Sequence, residues 1–109
     1  MKKYAVYDWM ADNEGGTDIC LAEEWTPMRG YYPESGWRAK PSTLIGYVDT
    51  VDELAQMLWK RDNDLADAYE EEAKKNTNPH VKYGSVVRRS LETWSRVANE
   101  MFNSMRVGI

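Results

Sequence analysis

Residues 49–75 read DTVDELAQMLWKRDNDLADAYEEEAKK. Thr50 can cap a helix and Glu53, three residues on, can reach back to it, the pattern of a capping box. On a 3.6-residue wheel Val51, Leu54, Ala55, Leu58, Trp59, Leu65, Ala66, Tyr69 and Ala73 form one apolar stripe, which predicts an amphipathic helix. Asp62 interrupts that stripe. In a continuous helix it points from the middle of the apolar face, where an unpaired carboxylate is costly. Either RDND breaks the helix, with Asp62 or Asn63 capping the second half, or Asp62 has a buried partner. The continuous helix is the reading adopted.

Upstream, STLIGYVD (42–49) has the short alternating pattern of a strand with both faces partly covered, and Gly46 within it marks a bulge or a close contact. KKYAVYDW (2–9) and TDICLAEEW (17–25) flank ADNEGG, whose Asp, Asn and Gly favour a turn, so the pair predicts a β-hairpin. Downstream, Pro79 in NTNPHVKYGS stops the helix. SVVRRSLETWSRVANEMFNSMRV (85–107) then predicts a second long helix capped by Ser85. Its residues Val87, Leu91, Trp94, Ala98, Met101 and Met105 repeat at heptad spacing, widened by Val97 and Phe102. The order is β-β-loop-β-α-α. That is an α+β fold, a small antiparallel sheet of about three strands with two long helices, in a single domain over residues 1–109.

Between the second and third strands lies EEWTPMRGYYPESGWRAKPS (23–42). Pro27, Gly30, Pro33, Gly36 and Pro41 keep interrupting regular structure, yet the stretch carries Trp25, Tyr31, Tyr32 and Trp37. The 18 residues from Trp25 to Ser42 exceed an ordinary connection, which favours a functional loop. Arg29 and Arg38 flank its aromatics, and Trp, Tyr and Arg are the types enriched at interface hot spots. The alternative is a lid, with Trp25 and Trp37 folded back on the sheet.

Composition narrows the function classes. With 42% hydrophobic and 29% charged residues, a thin core is expected, and five tryptophans compensate for it. Cys20 is the only cysteine, so no internal disulfide can form. The N-terminus has no apolar run of the signal-peptide kind, and no stretch nears the roughly 20 apolar residues of a membrane span. A cytoplasmic location is expected, with no membrane association. The net charge of −4 argues against direct nucleic-acid binding.

Catalytic groups are scarce. His80 lies in a connector and Cys20 in a strand between Ile19 and Leu21, so a Cys/His pair would require the fold to unite them. Asp8, Asp12, Glu14 and Asp18 cluster near the hairpin turn, but Gly16 falls where a calcium loop needs a ligand. No enzyme activity, cofactor or metal is expected.

The first helix carries acids opposite or beside its stripe: Glu53, Asp64, Asp67, Glu70 and Glu71. Rows of carboxylates can imitate phosphates; alternatively Glu70 with Lys74 and Glu71 with Lys75 are ordinary i,i+4 pairs on a solvated face. In the second helix Arg88 and Arg96 each stand four residues from Glu92, which predicts a local ion ladder rather than a basic groove.

The stretch DNDLADAYEEEAKK on so short a chain resembles the small phage-encoded inhibitors of bacterial defence, the anti-CRISPR and anti-restriction proteins. The resemblance covers one helix and the general build, and it carries over no residue roles. It implies a non-enzymatic inhibitor or adaptor that blocks a basic protein surface. Asp64, Asp67, Glu70 and Glu71 would steer association, and Arg29, Tyr31, Tyr32 and Trp37 would supply short-range contact. The alternative is a structural or regulatory homo-oligomer assembled through the last helix; monomer and homodimer both remain open.

Overall fold

The computed structural model describes residues 2–107. Its regular elements are strands β1 (Tyr4–Met10), β2 (Gly15–Leu21) and β3 (Lys40–Val48), then helices α1 (Val51–Lys75) and α2 (Leu91–Val107). The strands form one antiparallel sheet in the order β2-β1-β3, so the α+β order expected from the sequence is the observed one. Tyr4 pairs with Leu21 on one side and Val48 on the other. Val6 pairs with Gly46 but Tyr7 with Leu44, which leaves Ile45 as the extra residue of a bulge. Gly46 also makes a close contact, since a Cβ there would lie 2.9 Å from the Met57 methyl.

Strand alternation gives the sheet two apolar faces. Val6, Ile19 and Val48 pack with Leu54, Ala55 and Leu58 of α1 and Ala98 and Phe102 of α2. Ala5, Tyr7 and Cys20 point the other way, joined by Trp9, Leu44 and Trp25 of the aromatic loop. The sheet is therefore a middle layer, with helices on one side and the loop on the other.

α1 is unbroken, and Thr50 Oγ1 accepts the Glu53 N–H (3.2 Å) at its start. Asp62 has partners: its Oδ2 accepts the Arg89 backbone N–H (3.2 Å) and the Trp94 indole N–H (3.3 Å). At 25 residues α1 spans about 37 Å, against about 23 Å for a seven-residue strand, so it outruns the sheet. The far part of its stripe is thinly covered, and Leu65 is 59% exposed. Besides Trp94, Val97 and Met101 near Leu65, cover comes from a strap without regular structure, residues 81–90. There Tyr83 meets Tyr69 edge to face (5.3 Å) and the Tyr69 hydroxyl accepts the Gly84 N–H (2.8 Å).

α2 begins later than the sequence predicts. Its cap is Ser90, whose Oγ accepts the Thr93 N–H (3.2 Å), and not Ser85. Val87 lies outside the helix and is 78% exposed. Tertiary bonds explain the shift: the Arg88 guanidinium reaches Asp67 (2.7 Å), Glu70 (3.1 Å) and the Asn63 side chain (3.2 Å), while the Arg89 N–H is held by Asp62. These bonds anchor both residues outside the helix. The predicted Arg88–Glu92 ladder is thereby replaced by pairing across to α1. Within α2, Ala98 and Phe102 are core and Trp94, Val97, Met101 and Met105 pack against it, so the seam from Trp94 onward serves this chain's own interior, while Leu91 is exposed. No helix among the described residues is long and apolar enough to cross a membrane.

Candidate functional site on the aromatic loop

The loop from Ala22 to Ala39 contains two short 3₁₀ turns, Ala22–Glu24 and Pro33–Ser35. Side chains and backbone pin it at several points. Ser42, buried at the start of β3, donates its N–H to Pro27 O (2.8 Å) and its hydroxyl to Arg29 O. Gly30 has φ +74°, and a Cβ there would lie 2.9 Å from Trp9 Cβ, so glycine lets the loop settle on the sheet. Farther along, Asp12 of the hairpin turn accepts the Arg38 N–H (2.9 Å) and donates its own N–H to Ser35 Oγ (3.1 Å). Ser35 in turn donates to Tyr32 O (2.7 Å).

This framework divides the aromatics. Trp25 folds onto Ala5, Tyr7 and Cys20, as a lid would. Trp37 does not: it is 85% exposed, with the Arg38 guanidinium 5.1 Å from its ring centre. Tyr32 and Met28 are also exposed, at 52% and 61%, whereas Tyr31 is half-buried. Arg29 is exposed overall, with its guanidinium close enough to the Tyr7 hydroxyl to oppose the rise of that phenol. Between loop and sheet a cavity of about 330 Å³ is lined by Tyr7, Trp9, Asp18, Arg29, Gly30 and Tyr32.

Burial dominates the electrostatics beneath the loop. It pushes the Tyr7 phenol above its ordinary value, against the opposing pull of Arg29. It likewise raises the Cys20 thiol, again opposed by Arg29, which keeps the sulfur protonated and poorly nucleophilic near neutral pH. His80 is exposed in the turn beyond α1, its N–H bonded to Asn78 Oδ1 (3.0 Å), in surroundings separate from those of Cys20.

The hairpin acids disperse as well. Asp8 faces α1 and binds Thr17 (2.6 Å) and Arg61, Asp12 holds the loop, and Asp18 accepts the Ile19 N–H (2.8 Å). Among the described residues no group of three or more His, Cys, Asp or Glu is placed to hold a metal ion.

The four acids of α1 grouped from sequence each pair with a cation. Asp64 pairs with Lys60 (2.6 Å), Glu71 with Lys75 (3.9 Å), and Asp67 and Glu70 share Arg88. Glu70 thus takes an arginine from the strap in place of the Lys74 that the sequence suggested. The helix and the loop lie on opposite faces of the sheet, so the two residue sets grouped from sequence do not form one continuous surface.

Sequence reasoning missed Tyr7, Trp9 and Ser42, and weighed Asp18 only as part of the hairpin acids. A signal for the first two was present, since Ala5, Tyr7 and Trp9 alternate with Val6 and Asp8 and so share the face away from the helices. Comparison with protein-family models, curated proteins and solved structures gave no match.

Proposed function

We propose that this chain acts by binding another protein through the loop face, as a non-enzymatic inhibitor or adaptor. The observation that carries this reading is Trp37, an indole almost wholly in solvent on a loop whose backbone is fixed on both sides of it by Asp12 and Ser35. A large aromatic held in water by a fixed frame loses little conformational freedom on docking, and such residues supply much of the energy of interfaces. Tyr32 and Met28 extend the same exposed set, and Arg38 adds a charged edge beside the ring.

A phage anti-defence inhibitor is the form of this reading that the acidic helix and small size suggest, with a cytoplasmic setting and a basic partner. The ion pairs on α1 limit that helix to a steering role, since its acids are already partly neutralised by Lys60, Lys75 and Arg88.

Tagged parent protein and the Trp37→Ala, Tyr32→Ala double variant would be used for parallel capture from the source cell, with captured proteins identified by mass spectrometry. A protein retained by the parent and lost with the double variant is the expected outcome. If the folded variant retains the same proteins, the loop is not the binding surface.

A further inference from the structure

We propose that the cavity between the aromatic loop and the sheet binds a free L-α-amino acid with an apolar or aromatic side chain. Two opposite charges line the solvent-open side of this space, Arg29 from the loop and Asp18 from β2, both exposed, and the Glu24 carboxylate also acts on Arg29. Among the described residues, neither forms an ion pair within 4 Å with the other or with any third group. Asp18 uses one carboxylate oxygen for the Ile19 N–H, and the second has no partner among the described residues.

Such an arrangement disfavours singly charged guests. A simple anion drawn to Arg29 meets the Asp18 carboxylate, and a simple cation drawn to Asp18 meets the guanidinium. A zwitterion satisfies both: its carboxylate takes the guanidinium in charge-assisted hydrogen bonds, and its ammonium takes the free Asp18 oxygen.

The remaining walls are Tyr7, Trp9 and Tyr32, rings suited to an apolar or flat side chain and able to stabilise an ammonium over a π face. The volume, about 330 Å³, is at the small end of ligand sites. The frame is built in advance. Ser42 fixes the Arg29 carbonyl, and Gly30 seats the loop on Trp9.

The test is a titration of ¹⁵N-labelled protein with L-phenylalanine, N-acetyl-L-phenylalanine and L-phenylalaninamide, following the Trp9 indole and Gly30 amide signals. Saturable shifts are expected with the free amino acid. Each blocked derivative should bind at least about tenfold more weakly, because each lacks one charge-assisted contact. Asp18→Asn should make the free and N-acetylated ligands bind alike, and Arg29→Gln should do the same for the free ligand and the amide.

The proposal is overturned if no neutral L-amino acid gives saturable shifts below about 10 mM. It is equally overturned if either blocked derivative binds the parent as well as phenylalanine does, a comparison that decides the matter even where a variant fails to fold. This site shares Tyr32 with the protein-binding face, but the two readings fail separately, since a capture experiment can fail while these titrations succeed, and the reverse.

Discussion

Trp94 of α2 donates its indole N–H to Asp62 at the middle of α1 (3.3 Å), and the same carboxylate oxygen receives the backbone N–H of Arg89. The residue that breaks the apolar pattern of α1 is the one that docks the second helix. Asp62→Ala should cost about 1–3 kcal/mol, because it leaves two donors without their acceptor. In a chain of this size each kcal/mol lowers the melting midpoint by about 4–8 °C. A double-mutant cycle with Trp94→Phe separates the indole bond from the Arg89 bond; a melt unchanged in Asp62→Ala would show that the carboxylate does not hold the helices together.

The strap depends on Arg88, which joins Asp67, Glu70 and Asn63 of α1. Arg88→Gln is expected to speed hydrogen exchange at the Gly84 and Arg89 amides, whose acceptors are the Tyr69 hydroxyl and Asp62. High salt should have the same effect on the parent, since it screens exposed ion pairs. Unaltered exchange in both experiments would mean that Tyr69, Tyr83 and Asp62 suffice to hold the strap.

Gly30 combines a left-handed φ with close approach to Trp9. Gly30→Ala should destabilise the chain by about 1–3 kcal/mol, through backbone strain together with displacement of the loop. Urea midpoints measure the loss, and the Trp9 indole signal in ¹⁵N spectra should shift as the ring gains solvent.

Alkaline stability follows from the groups buried under the loop. Burial holds the Cys20 thiol above its ordinary 9.0 and the Tyr7 phenol above its ordinary 10.0, so the unfolded chain releases both protons first. Above those values the folded chain binds more protons than the unfolded one. Stability that is whole below about pH 9 therefore falls as pH rises through the folded values. Cys20→Ala with Tyr7→Phe should flatten this fall in urea midpoints taken between about pH 8 and pH 11. Tyr83, also raised by desolvation, remains in both chains and leaves a residual slope.

Most of the fold was legible because its signals are local. The Thr50 cap, the stripe of α1 and the stop before Pro79 all lie within a few residues of what they determine. The start of α2 was not, because SVVRRS is acceptable helix sequence and what holds it out of the helix is Asp62, Asp67 and Glu70, more than fifteen residues away in the chain. The β2 strand likewise ends at Leu21, short of Trp25, where a 3₁₀ turn delivers the indole to the sheet. The loop stood out by length and composition, but the cavity beneath it did not. Tyr7 and Trp9 read as ordinary strand residues, and Asp18 as one of the hairpin acids, until the sheet's two faces are known.

The sheet order β2-β1-β3 places the first-made strand in the middle. As the chain leaves the ribosome, β1 and β2 can close a hairpin, but a lone hairpin is marginal in water. The second neighbour of β1 follows only after the aromatic loop, and closing that loop costs entropy before any pairing repays it. Neither face of the early hairpin has cover until Trp25 swings back and Leu54 and Leu58 emerge. A fragment ending at Val48 should therefore lack protected amides in hydrogen exchange, whereas the chain through Met105 should protect β1 more strongly than either strand beside it.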